Sequence, residues 1–225
     1  MAIVSLQNVS KDYLTDGQPV HAVDHVSLEV NRGEFVALVG RSGCGKSTLL
    51  NLAGAMDFPS SGRVLLDGVD TSALKDAGLT ALRREKVGFI FQSFQLLHTL
   101  TVFENVELPL QLAGRPNARA AARDRLTWVE LDGLGDRYPH QLSGGQMQRV
   151  GIARALIQSP AILLADEPTG NLDTVTGNVI LDLLKRLTRE LNTATLMATH
   201  SVEAAALADA IVRLRDGKIE EIKRR

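Results

Sequence analysis

Short apolar runs that end in glycine or polar residues alternate along the chain with longer stretches of helical periodicity. This alternation is typical of a parallel sheet with helices on its faces. The runs that predict strands of the sheet are Phe35–Val39, Val87–Phe91, residues 161–165 and residues 194–198. The pattern therefore predicts an α/β fold.

The first third of the chain departs from this pattern. Apolar runs at residues 3–9, 20–30 and 62–66 predict short strands, joined partly by turns such as Asp16-Gly17. Because turns connect neighbouring strands in the antiparallel sense, we expect a small antiparallel sheet beside the parallel core. Residues 46–56 predict the helix that follows the strand at residues 35–39.

A block between about residues 93 and 159 has no strand signal and is dominated by helical patterns. It predicts a helical lobe inserted in the core. We therefore expect a single domain, residues 1–225, in which residues 1–92 and 160–225 build the core and residues 93–159 build a helical subdomain.

The composition excludes several classes of protein. With 25 Lys and Arg against 26 Asp and Glu, the net charge is −1, so the basic excess of a nucleic-acid binder is absent. The single cysteine, Cys44, fits a reducing compartment. No run reaches the roughly 18 apolar residues that a bilayer span requires. We expect a cytoplasmic protein that reaches a membrane only through a partner.

Residues 40–47, Gly-Arg-Ser-Gly-Cys-Gly-Lys-Ser, match the phosphate-loop pattern between a predicted strand and a predicted helix. Glycines let the backbone wrap phosphates, with N–H groups and the positive helix end directed at the anion. We expect Lys46 to reach the β- and γ-phosphates and the Ser47 hydroxyl to ligate Mg²⁺. The residues predicted to bind nucleotide here are Gly40, Arg41, Ser42, Gly43, Cys44, Gly45, Lys46, Ser47 and Thr48.

Asp166 and Glu167 follow a predicted core strand, and ligands bind at this edge of open α/β sheets. Asp166 is well placed to hold Mg²⁺ through its water shell. Glu167 is placed to orient and partly deprotonate the attacking water. His200 ends the next strand, where an imidazole can sense the γ-phosphate. We predict Lys46, Glu167 and His200 as catalytic residues.

The remaining histidines show no metal-ligand spacing and receive no chemical role: they are His21, His25, His98 and His140.

The segment Leu-Ser-Gly-Gly-Gln at residues 142–146 precedes an apolar stripe with helical spacing. Ser143 is a good N-cap, and glycines let the backbone approach an anion. Taken alone, such a segment is more often an ordinary helix cap than a ligand site. Its chemistry nevertheless suggests a second phosphate cradle, built from Ser143, Gly144, Gly145 and Gln146.

The phosphate loop, the Leu-Ser-Gly-Gly-Gln segment and the Asp166-Glu167 strand occur in the order and approximate spacing of ABC ATPase domains. The chain resembles this family over essentially its whole length. The resemblance implies a P-loop NTPase of RecA-like type, with an antiparallel β subdomain and an inserted helical subdomain that carries the signature. It also implies a head-to-tail homodimer that hydrolyses Mg-ATP, in which residues 143–146 of one subunit close over ATP on the other.

Further residues match the family position by position. Tyr13 resembles the aromatic residue that stacks on adenine. Gln92 resembles the glutamine that touches Mg²⁺ or water and senses the membrane partner. Asp173 resembles the acid of the loop that crosses to the opposing subunit, and His200 resembles the switch histidine. No motif is missing, so we expect a competent ATPase.

Two segments narrow the resemblance to one branch. Residues 165–173 and 91–106 are similar to the lipoprotein-release and macrolide-export group, which also resembles the ATPase of the cell-division ABC complex. The region from Gln92 to Val106 is expected to form the groove for the coupling helix of an integral membrane permease. The protein would then sit on the inner face of the cell membrane through that partner.

Three other interpretations compete with a transport ATPase. A chromosome-maintenance ATPase shares the signature and the head dimer, but those chains insert long coiled coils, and heptads are absent here. A regulatory ATPase of a cell-division complex uses the same motifs without moving a solute. A small-molecule kinase with a phosphate loop leaves residues 142–146 unexplained and would transfer phosphate to an acceptor other than water.

Overall fold

The computed structural model describes residues 2–15 and 17–225, so Asp16 of the predicted turn lies outside the described residues. Its strands are β1 (Ala2–Thr15), β2 (Gln18–Asn31), β3 (Phe35–Val39), β4 (Ser61–Leu66), β5 (Val69–Asp70), β6 (Val87–Phe91), β7 (Ile162–Asp166), β8 (Ala194–Thr199), β9 (Ala210–Arg215) and β10 (Lys218–Arg224). Its helices are α1 (Lys46–Ala53), α2 (Asp76–Lys86), α3 (Val102–Leu112), α4 (Ala118–Trp128), α5 (Gly144–Leu156), α6 (Thr174–Glu190) and α7 (Val202–Ala206).

In the described part of the chain, the larger sheet has six strands in the order β10-β9-β3-β8-β7-β6. All neighbouring pairs are parallel except β9 with β10. Because β3, β8 and β7 are adjacent and parallel, their carboxyl ends meet at one edge of the sheet. The expected α/β fold is confirmed, and this edge positions the candidate site.

The smaller sheet is antiparallel and has the order β2-β1-β4-β5 within residues 2–15 and 17–225. Its position in the chain agrees with the sequence-based expectation, but β1 and β2 are longer than the predicted runs. The extra length comes from register shifts, with left-handed φ angles at Asn8 and His25. Such bulges let a strand continue past an interruption in its apolar alternation, and the alternation alone therefore underestimates its length.

Helix α1 ends earlier than the predicted boundary at residue 56. A Cβ at Gly54 would lie 2.5 Å from Leu164 Cδ1 and 2.7 Å from Phe89 Cζ. The next residue, Ala55, has a left-handed φ of 53°. The close approach of the backbone to the sheet at Gly54 therefore ends the helix at Ala53.

Both faces of the larger sheet are covered, as parallel sheets require. Val36 and Leu38 face one hydrophobic cluster, which includes α1 and the antiparallel sheet. Phe35 and Ala37 face a second cluster, which includes α3, α4, α5 and α6. The side chains of β3 therefore alternate between the two clusters, and the phosphate loop that follows β3 leaves the sheet between two packed layers. Among the described residues, no helix combines the length and hydropathy needed to cross a bilayer.

Candidate functional site

The loop between β3 and α1 has the glycine-dependent shape of a phosphate cradle. A Cβ at Gly40 would lie 2.4 Å from the Leu214 carbonyl oxygen and 2.5 Å from Cys44 Sγ. Gly45 has a φ of 102°, and a Cβ there would lie 2.3 Å from the Ala22 carbonyl oxygen. Because real Cβ atoms do not approach so closely, any side chain at these positions would displace the loop.

The ammonium of Lys46 is held within this loop. Its Nζ donates hydrogen bonds to the carbonyl oxygens of Gly40 at 2.9 Å and Arg41 at 3.0 Å. Lys46 is only 8% exposed, so these two acceptors compensate for the lost hydration of its charge. A phosphate oxygen would offer the ammonium a charged acceptor in place of neutral ones.

Cys44 packs inside the loop and contributes no exposed thiol. It is 6% exposed and belongs to the core cluster under the antiparallel sheet. Its backbone carbonyl accepts a hydrogen bond from the Gly217 N–H at 3.2 Å. Arg41 and Ser42, by contrast, are exposed. The backbone carbonyl of Cys44 therefore ties the cradle to the turn between β9 and β10.

The acidic residues and the histidine meet at the carboxyl edge of the sheet. Asp166 ends β7, and Glu167 follows with a left-handed φ of 48°. The Glu167 N–H donates to the carbonyl oxygen of Ala198 in β8 at 3.0 Å, which fixes this unusual conformation. Nδ1 of His200 lies 2.7 Å from Oε2 of Glu167. Two predicted catalytic residues are therefore in direct contact.

One cavity of about 650 Å³ joins most of the predicted site residues. Its walls include Ser42, Gly43, Gly45, Lys46, Ser47, Thr48, Gln92, Asp166, Glu167 and His200. Val20 and His21 also line it, although sequence reasoning gave His21 no role. Ser47, Gln92 and Asp166 all line this space, and the hydroxyl, amide and carboxylate oxygens that they carry are of the kind that binds Mg²⁺.

Gln92 is tied to the segment after β7. Its Nε2 donates to Asn171 Oδ1 at 3.1 Å, and Asn171 Nδ2 donates to the Gln92 carbonyl oxygen at 3.0 Å. A Cβ at Gly170 would lie 2.7 Å from Gln92 Nε2. The Gly170-Asn171 pair belongs to the segment 165–173 that narrowed the family resemblance, and it makes room for Gln92 and holds it by two hydrogen bonds.

The signature segment begins helix α5 and does not line this cavity. The Ser143 hydroxyl accepts from the Gln146 N–H at 3.3 Å, and the Ser143 N–H donates to Gln146 Oε1 at 2.9 Å. This reciprocal pair is a capping box, and it confirms the predicted N-cap. Within the described residues, none of positions 143–146 lines the cavity. The two predicted phosphate cradles are not brought together within one chain.

Asp173 is also a helix N-cap. Its carboxylate accepts from the Thr176 N–H at 3.0 Å and caps α6. Hydrogen bonds from Thr176, first from its side chain and then from its backbone, lower the pKa of Asp173. Because its pKa is lowered, Asp173 is charged at neutral pH, and its exposed side chain is accessible to a second molecule.

Gln148 is a residue that the motif analysis missed. It is fully buried in α5, and its Nε2 donates to the carbonyl oxygens of Pro168 at 2.7 Å and Phe91 at 3.3 Å. Pro168 follows Glu167, and Phe91 precedes Gln92. Gln148 therefore joins the signature helix to the chain at the ends of β6 and β7. The sequence signal that could have identified Gln148 is a polar amide among the apolar residues of the buried helix face, because a buried amide needs hydrogen-bond partners.

Tyr13 lies beside the cavity without forming its wall. It is the cross-strand partner of Val20, and residues directly opposite in an antiparallel pair share a face of the sheet. Burial, followed by the hydrogen bond to Asp57, raises the pKa of Tyr13, while the Thr48 hydroxyl acts in the opposite direction. The ring is thus adjacent to the first turn of α1.

These features define the class of the protein as a P-loop nucleoside triphosphatase: a glycine cradle, a lysine, two carboxylates and a histidine surround one cavity at the edge of a parallel sheet. The family model described as "ABC transporter" matches residues 23–170. The chain therefore belongs to the ABC transporter ATP-binding family, and it is the ATPase subunit of a transporter.

Individual relatives agree with this assignment. An uncharacterised ABC transporter ATP-binding protein of Thermotoga maritima is 48% identical, over 99% of this chain and 96% of that protein. A macrolide export ATP-binding/permease protein of Vibrio parahaemolyticus is 43% identical over 96% of this chain, which spans 33% of that protein.

Solved structures show the same fold. The MJ0796 cassette of Methanocaldococcus jannaschii, a dimer in a post-hydrolysis state with ADP and Pi, superposes with a TM-score of 0.89 at 43% identity. The superposition covers 98% of each chain. The P-loop core with a second sheet and helical insertion, as the sequence predicted, is confirmed.

Proposed function

We propose that two copies of this chain close head to tail around ATP, so that residues 143–146 of one copy seal the nucleotide on the phosphate loop of the other. The proposal depends on the composition of the cavity wall. Lys46, Glu167 and His200 line the cavity, whereas residues 143–146 of the same chain do not. The MJ0796 relative is a dimer bound to ADP and Pi, which supports a dimer of this chain that binds nucleotide.

Within the closed site, each residue has a defined task. Lys46 and the loop N–H groups bind the β- and γ-phosphates. Ser47, Gln92 and Asp166 fit a Mg²⁺ ion, which when bound neutralises charge on the phosphates. Glu167 orients the attacking water and accepts its proton, and His200 holds Glu167 by their 2.7 Å contact. Tyr13 stacks on the adenine. Asp173, from the opposing copy, completes the interface.

The membrane partner would dock through the region from Gln92 to Val106. A groove of about 410 Å³ includes Gln95 of this region and is also lined by Met56, Phe89 and Arg154, among others. Arg154 donates to the carbonyl oxygens of residues 94 and 95, which ties the groove to α5. Residues 93–159 would move as a helical subdomain when the site closes and would transmit that motion to the partner.

The proposed role is to power lipoprotein release or the export of a lipid, peptide or drug, from the cytoplasmic face of the membrane. The macrolide-export relative supports an export role. The second candidate is the ATPase of a non-transporting complex that regulates a cell-division partner, because the same residues would serve it. Cargo movement in vesicles that contain the partner separates the two.

A groove variant tests the partner contact. Met56 is 55% exposed and lines the groove, so Met56→Glu places a charge against the docking permease. We expect copurification with the membrane subunit to be lost while ATP hydrolysis by the isolated ATPase is unchanged. Ile222→Glu, at a residue 42% exposed on β10, is the matched control and should keep the partner. Retention of the partner by Met56→Glu would contradict this docking site.

A further inference from the structure

A hydrogen-bonded cluster of Lys11, Tyr13 and Asp57 lies beside the nucleotide cavity. Lys11 Nζ donates to Asp57 Oδ1 at 2.7 Å, and the Tyr13 hydroxyl donates to Asp57 Oδ2 at 2.8 Å. The carboxylate of Asp57 therefore accepts hydrogen bonds from two side chains of β1, those of Lys11 and Tyr13. Asp57 itself is carried by the segment that leaves α1, the helix whose other end forms the phosphate loop.

The cluster leaves one face of the tyrosine ring for a ligand. Lys11 Nζ lies 4.9 Å from the ring centroid and covers one face. Lys11 also donates to the Phe58 carbonyl oxygen at 2.8 Å, which fixes the ammonium from a second direction. Tyr13 remains 38% exposed, so the face that Lys11 does not cover is the one available for stacking.

The carboxyl group of Asp57 is ionised at neutral pH. Burial by itself would raise the pKa of this carboxyl, but hydrogen bonds from Lys11 and Tyr13 outweigh that effect and lower the pKa. A charged acceptor makes shorter and stronger hydrogen bonds than a neutral one. The orientation of the ring is therefore set by a charge-assisted contact at its hydroxyl.

We propose that Asp57, together with Lys11, is a positioning residue that holds the Tyr13 ring in the plane required for stacking on the base of the bound nucleotide. The inference rests on the proposed stacking role of Tyr13. It predicts that Asp57 contributes to binding of the adenosine part and not of the phosphates. A merely structural link between β1 and the chain after α1 would affect both parts alike.

The surrounding backbone keeps that link intact when Asp57 is changed. The Ser60 N–H donates to the Ser10 carbonyl oxygen at 2.8 Å, and the Asp12 N–H donates to Ser60 Oγ at 3.0 Å. These bonds fasten the same two segments independently of the carboxylate. Asp57→Ala should therefore fold, and its effect can be measured in ligand binding.

Calorimetric titration of Mg-ADP and of Mg-pyrophosphate separates the two parts of the nucleotide. Tyr13→Ala should weaken ADP binding by between about fivefold and a hundredfold, the range expected for loss of a base–aromatic stack. Asp57→Ala should weaken ADP binding about two- to tenfold, because a ring that is no longer held in place must be immobilised when the ligand binds. Both variants should bind pyrophosphate with unchanged affinity.

The matched control is Asp67→Ala. Asp67 pairs with Lys86 at 2.8 Å and has a side-chain exposure of 25%, against 29% for Asp57, but it lines a different cavity. Its loss should leave ADP and pyrophosphate binding unchanged. If Asp57→Ala weakened ADP and pyrophosphate equally, or neither, while Tyr13→Ala weakened ADP alone, the positioning role would be overturned and the stacking role would stand.

A double-variant cycle adds an independent readout. Tyr13→Phe keeps the ring but removes the hydroxyl that Asp57 accepts from. If both side chains act through that one hydrogen bond, Tyr13→Phe and Asp57→Ala combined should weaken ADP binding no more than the stronger single change. Fully additive losses would overturn the proposal. If Tyr13→Ala itself left ADP binding unchanged, the stacking role would fail, and the positioning role with it.

Discussion

Replacing Glu167 with glutamine should lower ATP turnover about 10²- to 10⁴-fold while nucleotide binding persists, because the amide cannot accept the proton of the attacking water. The substitution preserves shape, and the amide oxygen can still accept from His200, which lies 2.7 Å from the carboxylate. ATP should therefore stay intact between two copies. Phosphate release and size-exclusion chromatography with Mg-ATP measure the two effects.

The control for this variant is Glu203→Gln. Glu203 is exposed near His200 and its carboxylate accepts from the Ser201 hydroxyl, but it does not line the nucleotide cavity. Its substitution should leave turnover and ATP-dependent dimerisation unchanged. Undiminished hydrolysis by Glu167→Gln would contradict a catalytic role for Glu167. The 2.7 Å contact between Glu167 and His200 would then be structural only.

Replacing Lys46 with alanine should weaken Mg-ATP binding by about 1.5–3 kcal/mol, the usual contribution of a hydrogen bond to a charged group. This is roughly ten- to a hundredfold in affinity. The lost interaction is the one with phosphate, which offers the ammonium a charged acceptor in place of the carbonyl oxygens of residues 40 and 41. Equilibrium binding of a fluorescent ATP analogue measures it.

Lys86→Ala provides the comparison. Lys86 pairs with Asp67 on the far side of the molecule, so its loss removes a charge of the same type without touching the cavity. Nucleotide affinity should not change in that variant. Equal affinity for ATP in Lys46→Ala and in the unchanged protein would contradict the role of the loop as the primary phosphate site.

Local patterns predicted the phosphate loop because all its determinants are contiguous. The strand, the glycines and the following helix occupy neighbouring positions within residues 35–53, although the loop glycines also pack against the distant carbonyl oxygens of Ala22 and Leu214. Asp166 and Glu167 were predicted on similar grounds, since a strand end fixes their place. The left-handed φ of Glu167 could not be predicted, because it depends on a hydrogen bond to β8.

Residues that act through distant contacts were missed. Asp57 meets Tyr13 only because the antiparallel sheet folds over the end of α1, and Gln148 meets Phe91 and Pro168 only because α5 packs on the parallel sheet. Sequence separation hides such pairs, since periodicity reports which face of an element is buried and not what lies against it. The early end of α1 at Gly54 has the same origin, in contacts with Phe89 and Leu164.

The most direct test of the account is a crosslink between copies. A Ser42→Cys chain and a Ser143→Cys chain, each also carrying Glu167→Gln, are mixed with Mg-ATP and a short bismaleimide. A chain with only the buried Cys44 is the background control. We expect a covalent dimer that joins position 42 of one copy to position 143 of the other, and that forms only with nucleotide. Trapped ATP without that link would contradict a site shared between two copies.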